Sequence, residues 1–259
     1  MLITTWNVNS LNIRLNQVLE YLSTHKIDIL CLQETKMTND KFPTTAFQEI
    51  GYNCIYDGEK TYNGVAVISK EKLILNSSSL TGSSSESKRF LDVTLVNNKY
   101  KNLNVLNVYI PNGSEIGSDK YNYKMEWLEK LLNYLKKSLT KNENTILLGD
   151  FNIAPEDIDV YDPIKTTGTI MTSNDERAMF QEILNLGLID IFRKSHKLKQ
   201  EFSWWDYRNF SFKRNHGYRI DLILGSKNIF DNHASIYIDP EPRKNDRPSD
   251  HTPVTLELA

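Results

Sequence analysis

Short apolar runs that close on polar side chains recur along this chain, separated by segments of helical period. Residues 2–8 read as a strand. Leu11, Leu15, Val18, Leu19 and Leu22 then mark one face of a helix, with Ser10 as its expected N-cap. Residues 27–32 form a continuous apolar run too short for a helix, as expected of a buried strand. A short helix over 43–50 should stop at Gly51, and strands are expected over 52–56, 64–69, 90–96 and 103–109. Tyr121, Met125, Leu128, Leu132, Leu135 and Leu139 alternate at spacings of four and three, the stripe of a core-facing helix. Segment 77–87 is Ser-rich and expected as a surface loop, and 154–163 as a Pro- and Asp-rich loop. A helix over 175–186 should end at Gly187, and strands are expected over 218–224 and 254–258. No repeat and no shift in composition marks a boundary, so residues 1–259 are expected to form one α/β domain.

One stretch concentrates the chemistry. Residues 144–148 are apolar and β-branched, and Gly149 is expected to turn the backbone before Asp150 and Asn152. Side chains at i and i+2 of an extended segment share a face, so a carboxylate and a carboxamide would point the same way from the edge of a sheet. An Asx-turn that closes the strand explains the pair equally well. Asn7 and Asn9 repeat the spacing after the first strand. Glu34 follows the run 27–32, where a solvated loop glutamate is the plainer reading of that residue alone.

Composition narrows the partners. The 259 residues are 39% hydrophobic and 25% charged, an ordinary globular balance. A net charge of −2 gives no bulk attraction to a polyanion, which would need a local basic patch. Two cysteines are too few for a disulfide framework. The chain opens directly into a strand and has no run of 18 apolar residues, so a cytoplasmic protein without a membrane span is expected.

Asn7, Glu34, Tyr109, Asp150, Asn152, Asp221, Asp250 and His251 all fall within or just beyond expected strands. Oxygen donors dominate and no cysteine joins them, which suits a hard divalent cation better than zinc. Carboxylates, carboxamides and one histidine around such a cation fit hydrolysis of a phosphoester.

The motifs Trp6-Asn7-Val8-Asn9-Ser10, Leu32-Gln33-Glu34-Thr35-Lys36, Tyr109-Ile110-Pro111-Asn112-Gly113, Gly149-Asp150-Phe151-Asn152-Ile153-Ala154-Pro155 and Pro248-Ser249-Asp250-His251 resemble those of the exonuclease III family of abasic-site endonucleases. That family lies within the endonuclease/exonuclease/phosphatase superfamily, and the likeness runs along essentially the whole chain. Gly-Asp-x-Asn and Ser-Asp-His are shared with inositol phosphatases and sphingomyelinases. Trp204-Trp205-Asp206-Tyr207-Arg208 and Tyr218-Arg219-Ile220-Asp221 point to the DNA-repair branch.

The resemblance implies a four-layered α/β sandwich, two mixed sheets face to face with helices outside. It implies a nuclease that cleaves 5′ to abasic sites and trims 3′ ends as an exonuclease and 3′-phosphatase. Glu34 would hold Mg²⁺, with Mn²⁺ as a substitute, helped by Asn7, Asp250, Asp150 and Asn152. Asp150 would activate water, with Asn152 positioning it. His251 would contact the phosphate with Asp221 behind it, and Tyr109 and Asn112 would sit at the phosphate. For DNA, Arg89, Arg177 and Arg208 match basic positions, and Trp204, Tyr218 and Ile220 match an apolar pocket for a flipped abasic sugar. The partner implied is double-stranded DNA with abasic sites or damaged 3′ ends, bound by a monomer. Trp205 and Tyr207 are expected in packing roles, and His25, His196, His216 and His233 at the surface away from carboxylates. Lys213-Arg214 and Arg243-Lys244 are expected as solvated loop charge. Arg247 stands where the family often has lysine, and the 77–87 and 209–216 loops are atypical. A phosphatase acting on inositol phosphates or sphingomyelin, or a silent DNA scaffold, are the rival readings.

Overall fold

The computed structural model describes residues 1–83, 85–96 and 102–259, so residue 84 of the 77–87 loop lies outside the described residues. Twelve strands follow in order: β1 (Leu2–Asn7), β2 (Ile29–Gln33), β3 (Asn53–Asp57), β4 (Val65–Ser69), β5 (Leu73–Ser77), β6 (Phe90–Leu95), β7 (Leu103–Tyr109), β8 (Thr145–Asp150), β9 (Ile189–Asp190), β10 (Asp221–Gly225), β11 (His233–Ile238) and β12 (Val254–Leu258). They build one sheet in the order β11-β12-β1-β2-β4-β3 and another in the order β5-β6-β7-β8-β10-β9. β1 pairs parallel with β2, and β7 with β8, while their other neighbours run antiparallel, so both sheets are mixed.

Continuous apolar runs make sense once the layers are seen. In β8, Ile146 and Leu148 enter the core between the sheets, whereas Leu147 faces outward into the helices. In β2, Ile29 and Cys31 face the other sheet, and Leu30 and Leu32 face away from it. Both faces are covered, so period-2 alternation of polarity is absent. Each fully buried aliphatic side chain contributes roughly 1.5–3 kcal/mol. Helices α1 (Leu11–His25) and α2 (Thr44–Glu49) cover the first sheet. Helix α3 (Asp119–Ser138) and, beyond the one-turn α4 (Pro163–Thr166), helix α5 (Asn174–Asn185) cover the second. The result is the four-layered sandwich, and no helix among the described residues is long and apolar enough to cross a membrane.

Several local expectations are corrected. Gly149 does not turn the chain; it lies inside β8 with φ 141°, where a Cβ would sit 1.9 Å from the Val108 carbonyl oxygen. Close approach of β7 selects glycine there. Ser10 occupies the N-cap position of α1 with φ 92° but makes no side-chain cap bond. The backbone N–H groups of Ser10 and Leu11 instead donate to the Glu34 and Thr35 carbonyls, which ties α1 to the end of β2. The expected strand over 218–224 begins only at Asp221. β5 and β11, edge strands with several exposed or half-buried positions, carry too little apolar pattern to be foreseen.

Candidate active site

Topology gathers the polar strand ends on one rim. The parallel pairs end together, with Asn7 opposite Gln33 and Tyr109 opposite Asp150. β10 runs antiparallel to β8, so its first residue, Asp221, lies opposite Asp150. Segment 249–252 reaches the same rim through the Trp205 N–H, which donates to the Asp250 carbonyl, and the Thr252 N–H, which donates to Ser203. Ser203 Oγ accepts from the N–H groups of Ile220 and Asp221 and fixes the start of β10.

The Asx-turn expected as one reading of the Asp150/Asn152 pair is present, and both side chains lie on the rim. Asp150 Oδ1 accepts from the Asn152 N–H at 2.9 Å, an Asx-turn, and Asn152 Nδ2 donates to Asp150 Oδ2 at 3.1 Å. The same turn closes β1, where Asn7 Oδ1 accepts from the Asn9 N–H at 2.9 Å. Asn9, Glu34, Lys36, Asn152 and Arg247 all have φ between 42° and 54°. Left-handed backbone at non-glycine residues costs roughly 1–3 kcal/mol each, and it clusters here because the surrounding contacts over-determine the rim.

Glu34, Asp150 and His251 converge, each offering a ligand atom within 4.8 Å of the others. His251 Nδ1 donates to Asp221 Oδ2 at 2.8 Å, and its Nε2 stands 3.8 Å from Asp150 Oδ2. Burial alone would lower the His251 pKa, but Asp221 and then Asp150 outweigh it and raise it, which favours the imidazolium. Burial raises Asp150 above the ordinary carboxylate range against the pull of His251. Burial also favours the neutral form of Glu34 and of Asp250. Lys36 at 2.8 Å outweighs it for Glu34, and for Asp250 His251, Trp204 and Asn9 do so; both are held low. Tyr109 is pushed well above its ordinary value by burial and then by Glu34, so its hydroxyl remains a donor.

Three of the expected cation ligands have their polar atoms engaged within the protein. Asn7 does not present its oxygen to the cluster; its Nδ2 donates to Glu34 Oε1 at 2.8 Å and to Asp150 Oδ2 at 2.9 Å, bridging the carboxylates. Asn152 Oδ1 is turned to Asn112 Nδ2, at 2.9 Å. Asp250 stands outside the convergent trio, with its oxygens accepting from Asn9 Nδ2 (2.9 Å) and Trp204 Nε1 (3.0 Å). The donor set fits a hard divalent cation. Glu34 is ion-paired with Lys36, and Asp150 and Asp221 with His251, so four carboxylates are gathered on the rim, and a phosphate would add more negative charge.

The expected DNA residues divide. Trp204 and Tyr218 stack with ring centroids 5.5 Å apart beside Asp250, and Ile220 is buried beneath them. Met171, with φ 69°, shares the apolar cluster of Ile220, Ala154 and Val160, against which Trp204 and Tyr218 pack. Arg89 lies over the Tyr109 ring at 4.3 Å and donates to its carbonyl. Arg177 is occupied by the Ala154 carbonyl and Asp157, a brace for the 154–163 loop. Arg208 is exposed and paired with Asp206.

Other expectations shift too. Tyr207 is 52% exposed, and its hydroxyl donates to the Pro248 carbonyl. Arg243 is not solvated loop charge; it is buried against Trp205, Tyr207 and Phe212 and donates to the Ser249 carbonyl. His25 does meet a carboxylate, Asp239, at 3.7 Å. Asn9 was noted only for its spacing, Lys36 only within a motif and Arg14 not at all, yet all three hold the rim. Arg14 donates to the Arg247 and Pro248 carbonyls (3.0 and 2.8 Å), a role no local pattern announces.

A family model described as the endonuclease/exonuclease/phosphatase family matches residues 4–251. The chain is similar to "Exodeoxyribonuclease III" of Haemophilus influenzae (31% identical, 98% of each chain) and to "Exodeoxyribonuclease" of Bacillus subtilis (34%, covering 99% of this chain and 98% of the relative). Among solved structures it superposes on the 3′ phosphatase NExo from Neisseria bound to a product DNA hairpin, with TM-score 0.94 and 41% identity over 100% of this chain and 99% of that one. An AP endonuclease from Archaeoglobus fulgidus gives TM-score 0.93 and 36% identity, again over 100% of this chain and 99% of that one. With its rim of carboxylates and one buried histidine on this sandwich, the chain belongs to the endonuclease/exonuclease/phosphatase family, among the exonuclease III-like nucleases that hydrolyse phosphodiesters.

Proposed function

We propose that the protein, one unit over residues 1–259 acting as a monomer, hydrolyses phosphoesters of double-stranded DNA at abasic sites and at 3′ ends, with Mg²⁺ as its cation. The observation that supports this best is the convergence of Glu34, Asp150 and His251 beside the stacked Trp204 and Tyr218. Glu34 and Asp150 would hold the cation, which when bound offsets the charge of the phosphate and of the leaving oxygen. Asp150, raised by burial and held by Asn7 and Asn152, takes the proton of the attacking water. His251, kept cationic by Asp221, stabilises the charge that grows on the phosphoryl oxygens. Tyr109, whose pKa burial and then Glu34 hold well above the ordinary value, would donate its hydroxyl toward the phosphate.

One observation favours 3′ ends over internal abasic sites. The Met171 side chain occupies the apolar cluster around Ile220, where a flipped sugar would have to enter. Displacing a packed methionine costs on the order of its burial, roughly 1.5–3 kcal/mol, and a frayed 3′ terminus makes no such demand.

The test is a labelled duplex with one abasic-site analogue, a 3′-phosphate end and a 3′-recessed end, each incubated with Mg²⁺ and then with EDTA. Metal-dependent incision 5′ to the lesion or release at the 3′ ends is expected, with the 3′ ends processed faster. Silence on all three substrates overturns the proposal and moves attention to lipid and inositol phosphates.

A further inference from the structure

The buried face of α3 carries a residue that its apolar stripe does not explain. Lys124 sits three residues after Tyr121 and four before Leu128, and it is fully buried. Burial pushes its pKa down, with Glu176 opposing. An ammonium in such a place needs an acceptor for each of its three N–H groups, and here it has three. Lys124 Nζ donates to the Asn152 carbonyl at 2.7 Å, to the Asn112 carbonyl at 3.2 Å and to Glu176 Oε1.

Two of those acceptors are the backbones of site residues. Asn152 is left-handed, and Asn112 precedes Gly113, whose φ is 90°. Neither carbonyl is described in a strand ladder, and a buried carbonyl left unpaired costs roughly 1–3 kcal/mol. Their side chains join through Asn112 Nδ2 to Asn152 Oδ1, and Asn152 Nδ2 reaches Asp150 Oδ2. A continuous chain of contacts therefore runs from the Lys124 ammonium to the Asp150 carboxylate. Glu176 anchors the other end. It accepts from the Met171 N–H (3.1 Å), and from the Ser173 N–H (3.0 Å) and hydroxyl (2.7 Å), as part of the capping box of α5.

We propose that Lys124, held by Glu176, is a positioning residue for the nuclease reaction: it fixes the Asn112 and Asn152 backbones and, through their carboxamides, the Asp150 carboxylate. The assignment rests on the nuclease reading of the rim. A plain structural ion pair would stabilise the fold without setting the rate.

Lys124→Met alone leaves Glu176 buried without a counter-charge, so the decisive protein is the double variant Lys124→Met/Glu176→Gln, in which both charges are gone. The expected double variant melts below the wild type, because the Asn112 and Asn152 carbonyls lose their donor, but stays folded at the assay temperature, keeps KM within about threefold, and loses about 10²-fold in kcat, the scale of a reacting group misplaced by about 1 Å. A double variant with wild-type kcat overturns the proposal and leaves a structural ion pair. The side-chain amide NMR signals of Asn112 and Asn152, which need no turnover, are expected to move in the double variant; unmoved signals also overturn it. A wild-type protein that cleaves no DNA fails the nuclease reading, and the amide signals still decide the Lys124 contact.

Discussion

His251 donates through Nδ1 to Asp221 Oδ2 at 2.8 Å, although 30 residues separate them, and both side chains are buried. The second oxygen of Asp221 is buried with no hydrogen-bond partner among the described residues. That carboxylate is committed to the imidazole, and burial strengthens the charge–charge term that keeps the ring protonated.

Asp221→Asn is expected to lower the His251 pKa, because the largest influence raising it is removed. The variant then loses the imidazolium as pH rises, so its rate relative to wild type should fall between about pH 6 and pH 9, reaching a deficit of about 10²-fold. A pH profile of kcat/KM on 3′-phosphate DNA checks this. A constant ratio across the range would place Asp221 outside the protonation of His251.

Asp150→Asn removes the proposed base and one cation ligand while preserving shape. Turnover should fall at least 10³-fold, with DNA affinity in EDTA within a few-fold of wild type. Fluorescence anisotropy beside a product assay measures both. Retained turnover in a clean preparation would remove Asp150 from the chemistry.

Met171→Gly relieves a left-handed backbone and empties part of the cluster around Ile220. Incision at an abasic analogue should rise relative to 3′-phosphate release, by about tenfold if roughly 1.4 kcal/mol of displacement cost is removed. Rates on the two substrates under one condition give the ratio. An unchanged ratio would mean that Met171 does not obstruct the sugar.

Arg219 is 1% exposed and makes paired bonds to Asp159 and Asp190 behind the Tyr218–Ile220 segment. Burial alone would raise Asp159, but Arg219 and then Arg193 hold it below the ordinary carboxylate range. A depressed carboxylate contributes stability above its unfolded pKa, about 3.9, and loses it as pH falls through the folded value. Arg219→Met removes the guanidinium partner of Asp190 and leaves Asp159 with Arg193 alone, and should cost about 3–5 kcal/mol at pH 7. The gap to wild type should narrow below about pH 4, as the Asp159 carboxyl protonates and its contribution is lost. Denaturant midpoints at pH 7 and pH 4 test it; a gap that stays constant would assign the loss to packing.

The strands that carry Asn7, Glu34, Tyr109 and Asp150 were legible because each is a short apolar run with a polar group at its end, a signal contained within ten residues. The Asp150/Asn152 pair could be read as a site or as a turn, and the fold shows the Asx-turn with both side chains left on the rim. Lys124 was equally visible, a lysine at a core position of an amphipathic helix, but periodicity does not say what a buried ammonium bonds to.

By itself the sequence determined the strands and helices and the chemical types at the strand ends, since these are local properties of the chain, whereas the four layers were implied by the family resemblance. Only the tertiary structure decided which groups meet: Asn9 with Asp250 across 241 residues, Arg14 with the Pro248 carbonyl, Lys124 with the Asn152 carbonyl, and Met171 with Ile220. Those pairings depend on strand direction and sheet order, which bring distant segments within hydrogen-bond reach. A few tenths of an ångström there separate a bond from a void, and no periodicity in the sequence encodes that distance.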